Sequence, residues 1–153
     1  MNRIEAVYHH SLYAAGEHLD IRIDGEILAS LLNRKFPKLQ LDGLVPTLSN
    51  WLSDEEERKI VWQRILPSVG ESVVAPILMC PDDCDFFCTL ILAEIERRDD
   101  LIFWKRFGLD ESDFDISCLS HIGSKVNWFT GLEEYRFPIK DYVSFLNRFE
   151  QEL

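Results

Sequence analysis

Residues 79–88, MCPDDCDFFC, hold the side chains of this chain that are best suited to chemistry. Three thiols and three carboxylates fall within this stretch: Cys80, Cys84, Cys88, Asp82, Asp83 and Asp85. Thiolates bind zinc or exchange disulfides, and carboxylates bind hard cations or basic groups. Pro81 presets the backbone for a type I turn, a setting in which aspartate is also common. We therefore predict an acidic turn between two strands.

A structural zinc site is the first alternative for these cysteines. Zinc sites often combine a C-x2–4-C pair with a second ligand pair farther along the chain, which gives four candidate ligands here: Cys80, Cys84, Cys118 and His121. The third thiol of the stretch, Cys88, shares its parity with Leu90 and Leu92, which predicts a small buried side chain inside a strand. We predict free thiols or loop cysteines rather than a zinc site, and no cofactor.

Catalytic motifs are missing from the sequence. It contains no G-x-S-x-G elbow, no P-loop, no G-x-G-x-x-G segment, no H-E-x-x-H and no kinase signature. Adjacent His9 and His10 point to different faces of any regular element, so they do not form a chelating pair. The sequence favours a protein that is not an enzyme. An enzyme of unrecognised class, with Cys118 beside His121, is a further alternative.

The charge of the chain predicts the kind of partner. Net charge is −11, and most of it lies between residues 51 and 100. A field of this sign repels phosphate backbones and attracts basic proteins.

A second acidic stretch, LDESDFDIS, has no EF-hand spacing. Aromatic residues in the irregular stretch 123–137 add possible anchors. The predicted partner-binding residues are Asp82, Asp83, Asp85, Asp110, Glu111, Asp113, Asp115, Trp128 and Tyr135.

The first half of the chain predicts a strand followed by helices. Residues 19–28 alternate apolar and polar side chains up to Asp24-Gly25, a common turn dipeptide, and a short helix follows before Pro37. Residues 44–67 predict two helices or one bent helix, with Pro46 in a first turn. Ser53 and Glu56 form the pattern of a capping box for the acidic helix start.

The middle of the chain predicts an antiparallel meander. SVVAPILM, FFCTLILAEIE and LIFWKRF are rich in β-branched and aromatic residues. The run 86–93 is apolar on both faces, which is typical of an interior strand. A two-residue turn at Asp99-Asp100 would place Glu94 opposite Lys105, a favourable charge pair.

The last segment predicts an amphipathic helix, because apolar residues recur at helical spacing after Pro138: Ile139, Tyr142, Val143, Leu146 and Phe149. The predicted fold class is α+β. Residues 1–153 form a single domain in which an antiparallel meander sheet of about four to six strands has helices packed mainly on one face.

Location and function follow as expectations. The N-terminus has no continuous apolar segment and the chain has no apolar run long enough for a bilayer, so we expect a cytoplasmic protein with reduced cysteines. We expect a protein-interaction module that binds a basic partner protein and neither nucleic acid nor membrane. Small acidic inhibitor or immunity proteins that cover basic nucleases offer an analogy of size and charge alone.

Overall fold

Two antiparallel sheets and three α-helices make up the described part of this computed structural model, residues 1–113 and 117–153. The strands are β1 (Ile4–His9), β2 (His18–Ile23), β3 (Glu26–Ile27), β4 (Val45–Pro46), β5 (Ser72–Met79), β6 (Leu90–Arg98), β7 (Leu101–Asp110), β8 (Val126–Trp128) and β9 (Tyr135–Pro138). The helices are α1 (Leu28–Lys35), α2 (Glu55–Arg64) and α3 (Ile139–Glu150).

The strands divide between a small sheet and a large one. The small sheet has the order β1-β2-β3. The large sheet has the order β4-β5-β6-β7-β8, and β9 pairs with the first half of β7. This arrangement confirms the predicted α+β domain and the antiparallel meander β5-β6-β7. The pairing of β1 with β2 was not predicted.

The β6–β7 hairpin follows the predicted register only near its turn. Arg98 pairs with Leu101 across the two-residue turn, as expected. A β-bulge then shifts the register, so Glu94 pairs with Arg106 instead of Lys105. The Nε of Arg106 lies 3.1 Å from a carboxylate oxygen of Glu94, and Lys105 contacts Glu96 at the same distance. Opposite-charge pairing was therefore predicted correctly, but the partners differ.

Helix α2 begins one residue later than the capping box predicts. Asp54 is the N-cap, and its side chain accepts a hydrogen bond from the Glu57 N–H at 2.9 Å. The Ser53 prediction is wrong because aspartate competes effectively for the cap, and the acidic first turn satisfies the helix dipole in either frame. Pro46 lies in edge strand β4 rather than in a helix, a position where its missing N–H costs no ladder bond.

An aromatic cluster shows which face of the large sheet the helices cover. Trp104 of β7 contacts Tyr142 of α3 edge to face, with ring centroids 6.2 Å apart. The Tyr142 hydroxyl donates a 2.6 Å hydrogen bond to the carbonyl of Ile65, at the end of α2. Both helices therefore meet on one face of the sheet. Side chains that make ion pairs, including half-exposed Glu94 and exposed Arg106, lie at positions between the buried ones.

Among the helices that the structure describes, none combines the length and the apolar character needed to cross a bilayer.

Candidate functional site

The predicted turn is a ten-residue loop, residues 80–89, between β5 and β6. Met79 pairs with Leu90 at its base, and the Cys84 N–H donates to the Cys80 carbonyl at 3.0 Å. Strand β6 begins at Leu90 instead of Phe86. The carboxylate of Asp85 accepts a 2.9 Å hydrogen bond from the Phe87 N–H, a local contact that competes with strand pairing at this point of the chain.

A disulfide closes this loop. Cys80 is bonded to Cys88, and their Cα atoms are 6.1 Å apart. Cys88 is exposed in the loop rather than buried in a strand, and Cys84 is a free thiol between the two bonded cysteines. The predictions of free thiols at Cys80 and Cys88 and of a buried Cys88 are therefore wrong. The turn at residues 80–84 brings the two sulfur atoms together, an effect that spacing along the chain does not reveal.

The four residues considered for zinc do not form a site. The sulfur of Cys80 is used by the disulfide. Cys118 is a half-buried free thiol beside the 3-10 turn Leu119–His121, and His121 is exposed. In residues 1–113 and 117–153, no three His, Cys, Asp or Glu side chains are arranged to hold a metal ion.

The start of α2 packs against the disulfide loop and extends its negative charge. Buried Glu57 accepts a 3.4 Å hydrogen bond from the Phe86 N–H in the loop. Three exposed or half-exposed acids of the loop and three exposed acids at the helix start flank this contact. We call these six residues the acidic face: Asp54, Glu55, Glu56, Asp82, Asp83 and Asp85.

Burial favours the protonated, uncharged form of the Glu57 carboxyl. Glu57 is 2% exposed, and within the described part of the chain no group donates a hydrogen bond to its carboxylate oxygen Oε1. Desolvation, with smaller contributions from the neighbouring carboxylates of Asp54 and Asp85, raises the pKa of Glu57 to about 7. The hydrogen bond from Phe86 acts in the opposite direction. Glu57 therefore adds negative charge beneath the acidic face only as the pH rises through neutrality.

The second predicted acidic stretch lies at the same end of the sheet. Ile91 pairs with Leu109, so Asp110 follows directly beside the start of β6. The Asp110 carboxylate is used internally, because its Oδ1 accepts from the Ser112 hydroxyl at 2.8 Å and from the Gly123 N–H at 3.1 Å. Glu111 and Asp113 are exposed, and Asp115 lies outside the described residues. Of this stretch, Glu111 and Asp113 therefore remain suited to a partner.

The two predicted aromatic anchors lie on strands beside β7. Half-buried Trp128 of β8 packs under the guanidinium of Arg106, which is 4.0 Å from its ring centroid. Half-buried Tyr135 of β9 stacks on Phe137, with centroids 6.4 Å apart. Both rings thus have packing partners in the chain itself, and neither belongs to the acidic face.

A groove of about 460 Å³ runs along the other side of the disulfide loop. Its walls include two carboxylates, two amides, one exposed aromatic ring and two prolines, contributed by Asp42, Asp82, Asn33, Gln40, Tyr13, Pro37 and Pro81. Among the described residues that line it, none is cationic. Sequence reasoning missed this groove, because its walls come from segments far apart in the chain.

A buried polar network at the small sheet was also missed. His18 Nε2 lies 2.7 Å from the Ser11 hydroxyl, and its Nδ1 lies 2.9 Å from the Leu19 carbonyl. The Ser11 hydroxyl is also 3.4 Å from the Asp20 carboxylate. The H-x-D pattern, which puts His18 and Asp20 on one face of a strand, was the available signal.

This network resembles a nucleophile and its base, but the geometry favours a structural role. Ser11 is 4% exposed. The neighbouring cavity of about 120 Å³ reaches His18, and Ser11 is not among its described lining residues. A serine nucleophile must contact its substrate, so we interpret the network as the internal support of residues 10–17.

We expect the disulfide to stabilise the loop and the domain together. Replacing Cys80 and Cys88 with serine should lower the free energy of unfolding by about 2 kcal/mol, because the open loop gains entropy in the unfolded chain. Urea unfolding without reductant measures this change. Cys84→Ser is the matched control, with an expected change of roughly 0.5 kcal/mol or less. Equal stability of the double variant and the original chain would contradict the paired state.

Comparisons with known proteins leave the family of this chain open, because no protein-family model, no curated protein and no solved structure matches it. The function must therefore be inferred from the residues and their arrangement.

Proposed function

We propose that this protein is an interaction module that binds a basic partner protein through the acidic face. The observation that carries the proposal is the concentration of six carboxylates at the disulfide loop and the start of α2, five of which make no ion pair with another described residue. In the described residues, only Glu56 of the acidic face makes an ion pair, with Lys59 at 3.2 Å. Unpaired charges of one sign attract a partner of the opposite sign and accelerate its association.

Some carboxylates elsewhere on the chain are neutralised by a basic neighbour. Six other glutamates of the described residues have a basic side chain within salt-bridge distance: Glu5, Glu26, Glu94, Glu96, Glu134 and Glu152. Neutralising neighbours make these residues poor contributors to long-range attraction. In the described residues no ion pair joins the other five carboxylates of the acidic face to a basic side chain, so their charge is available to a partner.

The scaffold under the acidic face is well suited to presenting charge. The disulfide restricts residues 80–88, and the Asp54 cap fixes the first turn of α2. The hydrogen bond from Phe86 to Glu57 joins the loop to the helix. Binding residues held in place before association lose less conformational entropy when the partner arrives.

Neutralising the loop charges tests the proposal. We expect Asp82→Asn with Asp83→Asn to weaken partner binding by about fivefold or more, because each exposed charge contributes up to about 1 kcal/mol and steers association. Asp99→Asn with Asp100→Asn is the matched control. It makes the same change of charge at the hairpin turn, at the far end of β6, and Asn tolerates the positive φ of Asp99.

The measurement is affinity capture from native extract at low and high salt, followed by identification of bound proteins and titration of the purified partner. The proposal requires a basic protein that binds the original chain and the hairpin control, and whose binding falls with salt and with the loop substitutions. Equal binding by the loop variant and the hairpin control would exclude the acidic face as the contact surface.

Two narrower expectations belong to this proposal. The size and charge are those of small inhibitor or immunity proteins, so a basic nuclease is one class of partner to test in the titration. A cytoplasmic location also stays a proposal. The Cys80–Cys88 disulfide weighs against it, because cytosolic thiol systems keep most cysteines reduced. Trapping of free thiols at the moment of cell lysis would test this: reduced Cys80 and Cys88 would favour the cytoplasm, and a disulfide between them would favour an oxidising compartment.

A further inference from the structure

We infer that the groove beside the disulfide loop receives an arginine side chain of the partner. The inference rests on the proposed function and names the group that would be recognised. It uses Tyr13, Asp42 and Asp82, of which only Asp82 also belongs to the acidic face.

The charges in the groove match a cation. Asp42 and Asp82 both line it, and in the described residues neither makes an ion pair. Asn33 and Gln40 add amide oxygens, which accept hydrogen bonds. The Oδ1 of Asn33 already accepts one from the Leu41 N–H at 3.2 Å and keeps a second lone pair. Arginine carries five N–H donors in a planar fork and forms strong charge-assisted bonds with carboxylates.

The Tyr13 ring supplies the second feature of an arginine site. Its side chain is 68% exposed, an unusual situation for a large aromatic residue, yet the ring is seated on the chain. A Cβ at Gly43 would lie 2.8 Å from the ring, and Gly43 has a φ of +89° that favours glycine. One side of the ring therefore lies on Gly43, and the exposed remainder can stack on a guanidinium group.

The opposite wall of the groove is held in place by the disulfide loop. Cys80 and Pro81 belong to this wall, together with Thr89, whose N–H donates to the Cys80 sulfur at 3.2 Å. A wall fixed by a covalent bond keeps the carboxylate of Asp82 near the groove. The site is thus formed before the partner arrives, which lowers the entropy cost of binding.

Other occupants fit less well. A nucleobase could stack on Tyr13, but the phosphates attached to it would meet Asp42, Asp82 and the acidic face. A lysine ammonium would satisfy the carboxylates, but it is a compact point charge with no plane to stack on the ring. Arginine alone uses the ring, the carboxylates and the amides together.

Nuclear magnetic resonance titration of the whole chain tests the inference with three capped tripeptides, in which arginine, lysine or citrulline stands between two glycines. Citrulline keeps the shape of arginine without its charge. We expect saturable shifts of the backbone amides of Gln40, Asp42 and Thr89 with the arginine peptide, weaker binding of the lysine peptide, and no saturable shift with citrulline.

Variants of the aromatic ring separate stacking from charge. Tyr13→Leu should weaken binding of the arginine peptide by about two- to fivefold, the range of an exposed cation–π contact, whereas Tyr13→Phe should retain it. Because Tyr13 is mostly exposed, both variants should give the spectrum of a folded chain. Equal binding by Tyr13→Leu and Tyr13→Phe would overturn the role of the ring.

The outcomes distinguish this inference from the proposed function. Shifts confined to Glu55 and Glu56, or no shift at all while partner capture still depends on Asp82 and Asp83, would overturn the arginine site and leave the acidic face intact. Saturable shifts in the groove, together with partner capture that is indifferent to the loop substitutions, would show that the groove binds arginine but would overturn both the acidic face as the contact surface and a partner arginine as the occupant.

Discussion

Replacing Trp104 with alanine should lower the free energy of unfolding by about 4 kcal/mol, the largest effect that we expect from one substitution in this chain. The Trp104 side chain is fully buried and contacts Phe107, Phe137 and Tyr142 edge to face. Its Nε1 also donates to the Tyr142 hydroxyl at 3.3 Å. The substitution removes this packing and leaves a cavity where β7 meets α3. The lost burial of the side chain and the cost of the cavity both lower the stability.

Trp128→Ala is the matched control, because it deletes the same side chain from a half-buried position on β8. We expect a loss of roughly 1 kcal/mol there, mostly from the contact with Arg106. Urea unfolding of both variants, followed by circular dichroism, gives the comparison. If Trp104→Ala proves too unstable to purify, Trp104→Phe should show an intermediate loss. Similar losses for Trp104→Ala and Trp128→Ala would contradict the assigned core.

Asp20→Asn should stabilise the domain at pH 8 by about 3 kcal/mol and leave its stability at pH 4 nearly unchanged. The Asp20 side chain is fully buried, and burial raises the pKa of its carboxyl to about 7. Hydrogen bonds from the Ile21 N–H at 2.8 Å and from Ser11 oppose this shift only in part. Asparagine keeps the shape of the protonated carboxyl and cannot ionise.

Proton binding by Asp20 determines whether stability rises or falls with pH. Between the ordinary value of 3.8 and the folded value of about 7, folded Asp20 holds a proton that the unfolded chain has released. Stability from this group is therefore complete below pH 3.8 and is lost as the pH rises through 7, by on the order of 1 kcal/mol per pH unit. Glu57, with its pKa also raised to about 7, acts in the same direction.

Other groups act in the opposite direction, so the difference between variant and original chain is the quantity to measure. Glu5, Glu26 and Glu152 have lowered pKa values because of hydrogen bonds from basic or hydroxyl groups. Burial also lowers the pKa of His18. Urea unfolding at several pH values between 4 and 8 gives this difference. A constant difference between Asp20→Asn and the original chain would show that Asp20 does not titrate in this range.

The Trp104 cluster supports the helix that carries half of the acidic face. The Trp104 cluster reaches α2 through the hydrogen bond from Tyr142 to Ile65, and α2 begins at the acidic face. Loss of the cluster should therefore disturb partner binding indirectly, through unfolding. Substitutions at Asp82 and Asp83 should affect binding without this loss, because both side chains are exposed.

Much of the fold was predictable from local patterns. The hairpin at Asp99-Asp100 and the turn at Asp24-Gly25 were predicted from turn chemistry, and helix α3 from the spacing of its apolar residues. These features depend on neighbours a few residues apart, so their physical cause is contained in a short stretch of sequence. The β-bulge near Glu94 was not predictable, because it depends on how β7 packs across the whole sheet.

The sequence by itself determined the α+β class, the acidic surplus and the position of the turn between β5 and β6. Only the tertiary structure decided that Cys80 bonds to Cys88, that α2 extends the acidic surface of the loop, and that Tyr13 shares a groove with Asp82. Local propensities depend on near neighbours, whereas the last two contacts depend on distances between segments that the packing of the core brings together, and the disulfide depends on the conformation of its loop, which residue spacing does not reveal.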